Sequence, residues 1–197
     1  MASAARAKDS TDFGHGGQVG LRANLVAGYR MVLRYDDSPL CREFDTTKGL
    51  DDQATFCGHG APLALDLALS YGVLDFFEPY LWTRFGLAQE TETGTKPVVL
   101  LGAGTRLYTM SDSPFKIYVD PAIAIALEGG IEGSPAALGA LGKDGYGKDL
   151  VFHLAAGPQL DVSENFGVFV DAGLTLGILR SISSSLELRA GVQARLP

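Results

Sequence analysis

Residues 115–128 read Phe-Lys-Ile-Tyr-Val-Asp-Pro-Ala-Ile-Ala-Ile-Ala-Leu-Glu, with an apolar side chain at nearly every second position. The odd-numbered face is large and mostly aliphatic: Phe115, Ile117, Val119, Pro121, Ile123, Ile125 and Leu127. The even-numbered face carries three alanines and Tyr118 beside Lys116, Asp120 and Glu128. Only a β-strand places alternate residues on opposite faces. The stretch therefore predicts a strand with one apolar and one polar face.

The same alternation recurs in seven further segments, at residues 18–35, 62–73, 79–89, 97–109, 150–162, 167–179 and 185–196. Short connections alternate with longer ones, and the most extended loops are predicted at 36–61 and 129–148. This arrangement is typical of an up-and-down barrel. We predict an all-β fold, an eight-stranded antiparallel up-and-down transmembrane β-barrel over residues 16–197. Residues 1–15 are small, charged and aperiodic, and are predicted to be a disordered N-terminal tail.

Composition limits the function classes. A chain of 197 residues suits one domain, and it contains no apolar run of 18 residues that would predict a transmembrane helix. The net charge of -7 argues against nucleic-acid binding, which requires a basic surface. A single β-domain without nucleic acid as a partner is therefore expected.

The polar strand face favours a lumen over a water-exposed surface. It carries few lysines, and its basic and acidic residues nearly balance, as expected where charges must be paired. Eleven strand residues tilted by about 40° span roughly 27 Å, close to the apolar band of membrane barrels. Aromatic rims are predicted from residues near the segment ends: Tyr35, Tyr71, Phe76, Phe77, Tyr80, Phe115 and Phe166. We therefore expect lipid outside and charge inside.

The candidate site is a charge network inside the lumen. Its predicted members are Arg22, Arg30, Asp66, Arg84, Arg106, Lys116, Asp120, Glu128, His153, Asp161, Asp171, Glu187 and Arg189. Side chains can just fill an eight-stranded barrel. We interpret the network as holding the barrel closed, and keep a gated ion or proton path as the alternative.

The segment Leu63-Ala64-Leu65-Asp66-Leu67-Ala68-Leu69-Ser70-Tyr71 shows the pattern most plainly. Through it and the other segments the chain resembles the small eight-stranded outer-membrane barrels, the group that contains the membrane domain of outer-membrane protein A. The resemblance implies a bacterial outer-membrane location with membrane lipid around the barrel. One departure is the end of the chain at Leu196-Pro197, where those proteins usually carry an aromatic residue.

Cysteine, histidine and acidic loop residues are the other candidates for chemistry. Cys41 and Cys57 enclose a short polar stretch and predict a loop disulfide, with two free thiols as the alternative. His153 would need a partner such as Ser70 or Asp161 at a lipid-accessible rim to act in catalysis. Neither Cys57-Gly58-His59 nor the acidic residues of loop 36–61 has the spacing of a zinc or EF-hand calcium site. No cofactor and no metal is expected.

The sequence thus predicts a non-enzymatic outer-membrane barrel that acts as a surface scaffold or as a component of an envelope complex. Its protein partners would bind loops 36–61 and 129–148, and the isolated chain is expected to be a monomer. Two other classes stay open. One is a soluble or periplasmic barrel with an apolar ligand inside, and the other is a lipid-modifying outer-membrane enzyme.

Overall fold

The computed structural model of the protein describes residues 13–33, 56–88, 96–130, 150–178 and 182–197. Within these residues the chain forms eight β-strands. They are β1 Val19–Leu33, β2 Phe56–Tyr71, β3 Phe77–Gly86, β4 Lys96–Thr109, β5 Phe115–Gly130, β6 Leu150–Ser163, β7 Phe166–Gly177 and β8 Ile182–Leu196. No helix in this part of the chain is long and apolar enough to cross a membrane.

Each strand pairs antiparallel with the next in sequence, and β1 also pairs with β8 to close the barrel. The closing pair runs from Val19 opposite Leu196 to Leu33 opposite Ile182. Closure matters because a closed sheet has no edge strand. Its backbone N–H and C=O groups can form hydrogen bonds within the barrel wall, which an apolar environment requires. The predicted eight-stranded antiparallel barrel is confirmed.

The two ends of the barrel differ in their connections. Residues 72–76, 110–114 and 164–165 link β2–β3, β4–β5 and β6–β7 at one end, where β1 also begins and β8 ends. We call this the turn end. The opposite end, the loop end, receives the three longer connections, most of which lie outside the described residues, and the short connection 178–181 between β7 and β8. The alternation of short and long connections therefore follows the sequence prediction.

The loop boundaries differ from those predicted. Residues 56–61 belong to β2 and pair with 28–33 of β1, so loop 36–61 is shorter than expected at its C-terminal end. Similarly, β5 continues to Gly130, inside the predicted loop 129–148. The side-chain pattern missed the start of β2 because Gly58 and Gly60 interrupt the alternation. The strand nevertheless includes these residues, because their backbone pairs with β1.

The outer surface is apolar on all eight strands. Leu21, Leu81 and Leu188 are 55%, 62% and 65% exposed, and aliphatic side chains of the other strands point outward in the same way. Proteins surrounded by water rarely expose such a continuous apolar surface. The polar side chains point inward instead, so a soluble barrel with an apolar ligand cavity does not fit this chain.

Of the aromatic residues predicted to mark the rims, Tyr35 lies outside the described residues, and the others show one correction. Tyr71, Phe76, Phe115 and Phe166 are exposed at the turn end, where amphipathic and aromatic rings favour the interface between lipid and water. The prediction for Tyr80 was wrong, because its ring is buried in the lumen. It lies two residues from Glu78 and from Trp82, and strand geometry puts all three on the same inner face.

The exposed belt yields a depth-dependent prediction. Leu154 of β6 lies far from the turn end, opposite Pro121 and Leu174, whereas Val162 lies near the turn end of the same strand. In lipid vesicles, Leu154→Arg should lower the free energy of unfolding by about 2–4 kcal/mol, and the control Val162→Arg by about 0–1 kcal/mol. Urea unfolding measures both. Equal losses at the two depths would contradict a lipid-facing belt.

Candidate functional site

The lumen is lined by buried charged side chains in equal numbers. Among the described residues, six basic and six acidic side chains are at most 6% exposed. The basic residues are Arg22, Arg84, Arg106, Lys116, Arg189 and Arg195. The acidic residues are Asp66, Glu78, Asp120, Asp161, Asp171 and Glu187. The formal charge of this set is zero, which is what a low-dielectric interior requires because an unpaired buried charge is costly.

Most of these charges form one chain of ion pairs along the lumen. Arg106 Nη1 lies 2.7 Å from Glu78 Oε1, and its Nε lies 3.8 Å from Asp120 Oδ2. Asp120 in turn binds Arg189 at 3.0 Å, and Arg189 Nε binds Asp171 at 2.6 Å. This series of ion pairs thus joins β3, β4, β5, β7 and β8 through side chains alone.

At the turn end the same chain continues through Asp161. This carboxylate pairs with Lys116 and lies 3.3 Å from Arg195 Nη1. Arg195 Nη2 also lies 3.6 Å from Glu78, which connects the two parts. The imidazole of His15 fits between the carboxylates of Asp161 and Glu78, at 3.1 Å and 3.3 Å. A residue preceding β1 therefore completes the turn-end cluster.

A second cluster is built around Arg84. Its guanidinium binds Asp66 through Nε at 2.7 Å and Nη2 at 2.9 Å. The other edge binds Glu187 through Nη1 at 2.7 Å and Nη2 at 2.9 Å. Arg84 on β3 therefore clamps a carboxylate of the adjacent β2 and one of β8. The planar five-donor fork of arginine allows this double bidentate contact, which lysine cannot make.

Arg22 is held mainly by neutral groups. Its guanidinium carbon lies 3.5 Å from the ring centre of Phe169 and 4.6 Å from that of Tyr118. Its Nη2 donates to Gln159 Oε1 at 2.6 Å. Stacking on aromatic faces stabilises a desolvated cation electrostatically. This layer of one arginine and two rings occupies the lumen between the ion pairs.

The remaining space is filled by aromatic side chains. Tyr80 and Tyr118 donate their hydroxyls to Asp120 and Asp171. Glycines of β4 make room for the rings of β3. A Cβ at Gly104 would lie 2.4 Å from Tyr80 Oη, and one at Gly102 would lie 2.4 Å from Trp82 Nε1. Small wall residues and large lumen residues thus interlock, and the middle of the barrel is packed.

The structure places most of the predicted site residues together. Eleven of them are buried in the lumen: Arg22, Asp66, Arg84, Arg106, Lys116, Asp120, His153, Asp161, Asp171, Glu187 and Arg189. Arg30 is half-buried, with Nε 3.1 Å from Ser185 Oγ. Glu128 lies in β5, but its side chain is outside the described part. Cys41 is also outside it, and Cys57 is described only through its backbone, so the disulfide stays a prediction.

His153 does not have the partners considered from sequence. Its Nδ1 lies 2.9 Å from Thr175 Oγ1 and 3.9 Å from Glu187 Oε2. Ser70 instead donates to Gly20 O, and Asp161 contacts a different histidine, His15. The His153 ring is 3% exposed and faces the lumen. No lipid-facing catalytic pair is therefore formed by these residues.

Strand alternation predicted Glu78 and Arg195 to face the lumen, although the predicted network did not include them, and it gave no position for His15. Glu78 and Arg195 lie on the polar faces of β3 and β8, so strand alternation was a usable signal for both. His15 precedes the first alternating segment and was assigned to the disordered tail, whereas it is 1% exposed in the lumen. No periodicity marks a single inserted side chain, so the sequence held no comparable signal for it.

The fold and the packed, charged lumen define the class: a small eight-stranded barrel of the outer-membrane type. Neisserial surface protein A is similar over 91% of this chain and 99% of its own, with 14% identity and a TM-score of 0.57. Outer membrane protein OprG from Pseudomonas aeruginosa is similar over 94% of this chain and 99% of its own, with 13% identity and a TM-score of 0.54. No family model and no curated protein sequence matches the chain. At these identities the likeness concerns the fold alone.

The Arg84 clamp should be essential for stability. Arg84→Met leaves Asp66 and Glu187 buried without their shared cation, so the free energy of unfolding should fall by about 3–5 kcal/mol. The triple variant Arg84→Met, Asp66→Asn, Glu187→Gln removes the charges together and should recover most of the loss. Urea unfolding of the folded barrel in vesicles compares them. If the triple variant were as unstable as Arg84→Met, the loss of stability would come from altered packing and not from the loss of charge pairing.

Proposed function

We propose that this protein is a bacterial outer-membrane β-barrel that acts through its loops as a non-enzymatic surface scaffold or as a component of an envelope complex. The observation that supports this most is the combination of an apolar outer belt with a packed, formally neutral lumen. The belt needs lipid, and the lumen offers no open path. The residues that a protein partner can contact therefore lie at the two ends of the barrel.

The orientation follows the rule for such barrels, in which short turns face the periplasm and longer loops face outward. On this proposal the turn end, with both ends of the barrel domain, is periplasmic. The connections at 36–55 and 131–148, which remain of the two predicted loops, are extracellular and present two different surfaces. The first carries Asp36, Asp37, Glu43, Asp45, Asp51 and Asp52, whereas the second is rich in glycine and alanine. An acidic segment and a formally neutral, glycine-rich segment suit contacts with other envelope proteins rather than catalysis.

The lipid-modifying enzyme is the less favoured candidate. Such a reaction needs a histidine beside a nucleophile or carboxylate at a surface that lipid can reach. His153 instead lies inside the lumen beside Thr175 and the Arg84 clamp. Its neighbours are engaged in structural contacts, which favours a role in packing.

Orientation can be tested with epitope tags in intact cells. A tag inserted at residue 140 should bind antibody from outside, because it lies in the proposed extracellular loop. The matched tag after Asp112, in the β4–β5 turn, should bind only after the outer membrane is permeabilised. Retention of heat-modifiable gel mobility checks that each tagged barrel is folded. External access to the Asp112 tag alone would reverse the proposed orientation.

The packed lumen predicts an absence of stable channel activity. The folded protein in planar bilayers should show no steady conductance, because aromatic rings and ion pairs fill the middle of the barrel. Arg106→Gln should also remain closed, since Tyr80, Glu78 and Asp120 still occupy the space around that side chain. Single-channel recording measures both proteins. A steady conductance that Arg106→Gln alters would support the gated path instead.

A further inference from the structure

The residues that precede β1 close the turn end of the barrel. Residues 13–18, here called the strap, run beneath the lumen mouth before the chain enters the wall at Val19. Gly14 and His15 are buried, whereas Phe13, Gly16 and Gln18 are half-buried and Gly17 is exposed. One surface of the strap thus faces the lumen while the other faces the surrounding solvent.

Backbone contacts seat the strap on the β2–β3 turn. Gly17 N donates to Gly72 O at 2.7 Å, and Gly72 N donates to Gln18 O at 2.9 Å. Gly16 N donates to Asp75 Oδ1 at 2.8 Å. A Cβ at Gly72 would lie 1.9 Å from His15 O, so only glycine lets the strap approach this closely. Gly17 has φ +79, a conformation that glycine adopts without strain.

Side-chain contacts then reach across the mouth to four strands. His15 lies against Glu78 of β3 and Asp161 of β6, and its ring meets Tyr108 of β4 edge-on, with centroids 4.6 Å apart. Lys116 of β5 lies 2.8 Å from His15 Nε2, and its ammonium also donates to Phe13 O at 2.6 Å. One imidazole therefore plugs the centre of the opening.

We propose that the strap is a displaceable plug, which controls access from the turn end to the buried cluster of Glu78, Lys116 and Asp161. Its contacts inside the mouth are largely polar, and water can replace polar contacts at little net cost. Adjacent glycines at 16 and 17 provide a hinge. Deeper in the lumen, Arg22 stacks on Phe169 and Tyr118, so displacement opens a closed vestibule rather than a channel.

The plug can be tested by the reactivity of a buried thiol. Ser70→Cys, on a background of Cys41→Ser and Cys57→Ser, places the reporter on β2 near the mouth, since Ser70 is 4% exposed. A small charged methanethiosulfonate reagent is the probe, applied to the full chain folded in detergent micelles. Because labelling of a protected group follows the population of the open state, Gly72→Ala should raise the rate about tenfold or more.

Two controls separate the plug from general loosening of the barrel. Gly60→Ala adds the same methyl group to β2 where nothing lies within 4 Å, and should leave the Ser70→Cys rate unchanged. Ala155→Cys, a reporter that is 2% exposed on β6, should stay unreactive in every variant. His15→Ala should accelerate labelling of Ser70→Cys as Gly72→Ala does, and it replaces that variant if the latter fails to fold.

Three results would overturn the proposal. The first is an unchanged Ser70→Cys rate in folded His15→Ala and Gly72→Ala. The second is an equal rise in reactivity at Ala155→Cys, which would mean that the whole wall loosens. The third is rapid labelling of Ser70→Cys with the intact strap, which would mean that the mouth is already open. Heat-modifiable gel mobility establishes folding in each case, and none of these outcomes depends on the proposed cellular role.

Discussion

Charge pairing inside a closed wall is the constraint on which this structure depends. Six cations and six anions are buried in the lumen, and neither water nor lipid can solvate them there. The partners come from different strands, as when Arg84 joins β2 and β8 to β3. A one-residue slip in any strand would turn its charges toward lipid and its leucines inward. The ion pairs and the outer belt therefore enforce the same register from opposite faces.

The packing of the lumen also limits where function can lie. The ion-pair chain, the Arg84 clamp and the stacked Arg22 leave the middle of the barrel committed to structure. The proposed function therefore assigns no channel transport and no catalysis to the lumen. The two ends remain, with acidic and glycine-rich loops at one and a histidine-anchored strap at the other. A formally neutral barrel between the two ends suits a scaffold that presents these end surfaces to partners.

The turn end is the part of the lumen where the proposed conformational change takes place. There the cluster is completed by His15, which no strand carries, and is covered by a strap with two consecutive glycines. Elsewhere, removing a charged partner would break contacts between strands of the wall. At the mouth, a short segment can leave without disturbing any pair of strands. Stability and conformational freedom are thus separated along the barrel axis.

Strand alternation in the sequence by itself determined the eight-stranded barrel, the aliphatic outer belt and the inward direction of eleven predicted lumen residues, ten of them charged. Alternation carries this information because each residue has only two possible faces. It could not determine which charges meet, since Arg84 and Glu187 are 103 residues apart and are joined only by barrel closure and stagger. It could not place His15, which was predicted to lie in a disordered tail. Tertiary structure decided that position, because an inserted side chain follows the shape and charge of the cavity rather than any local period.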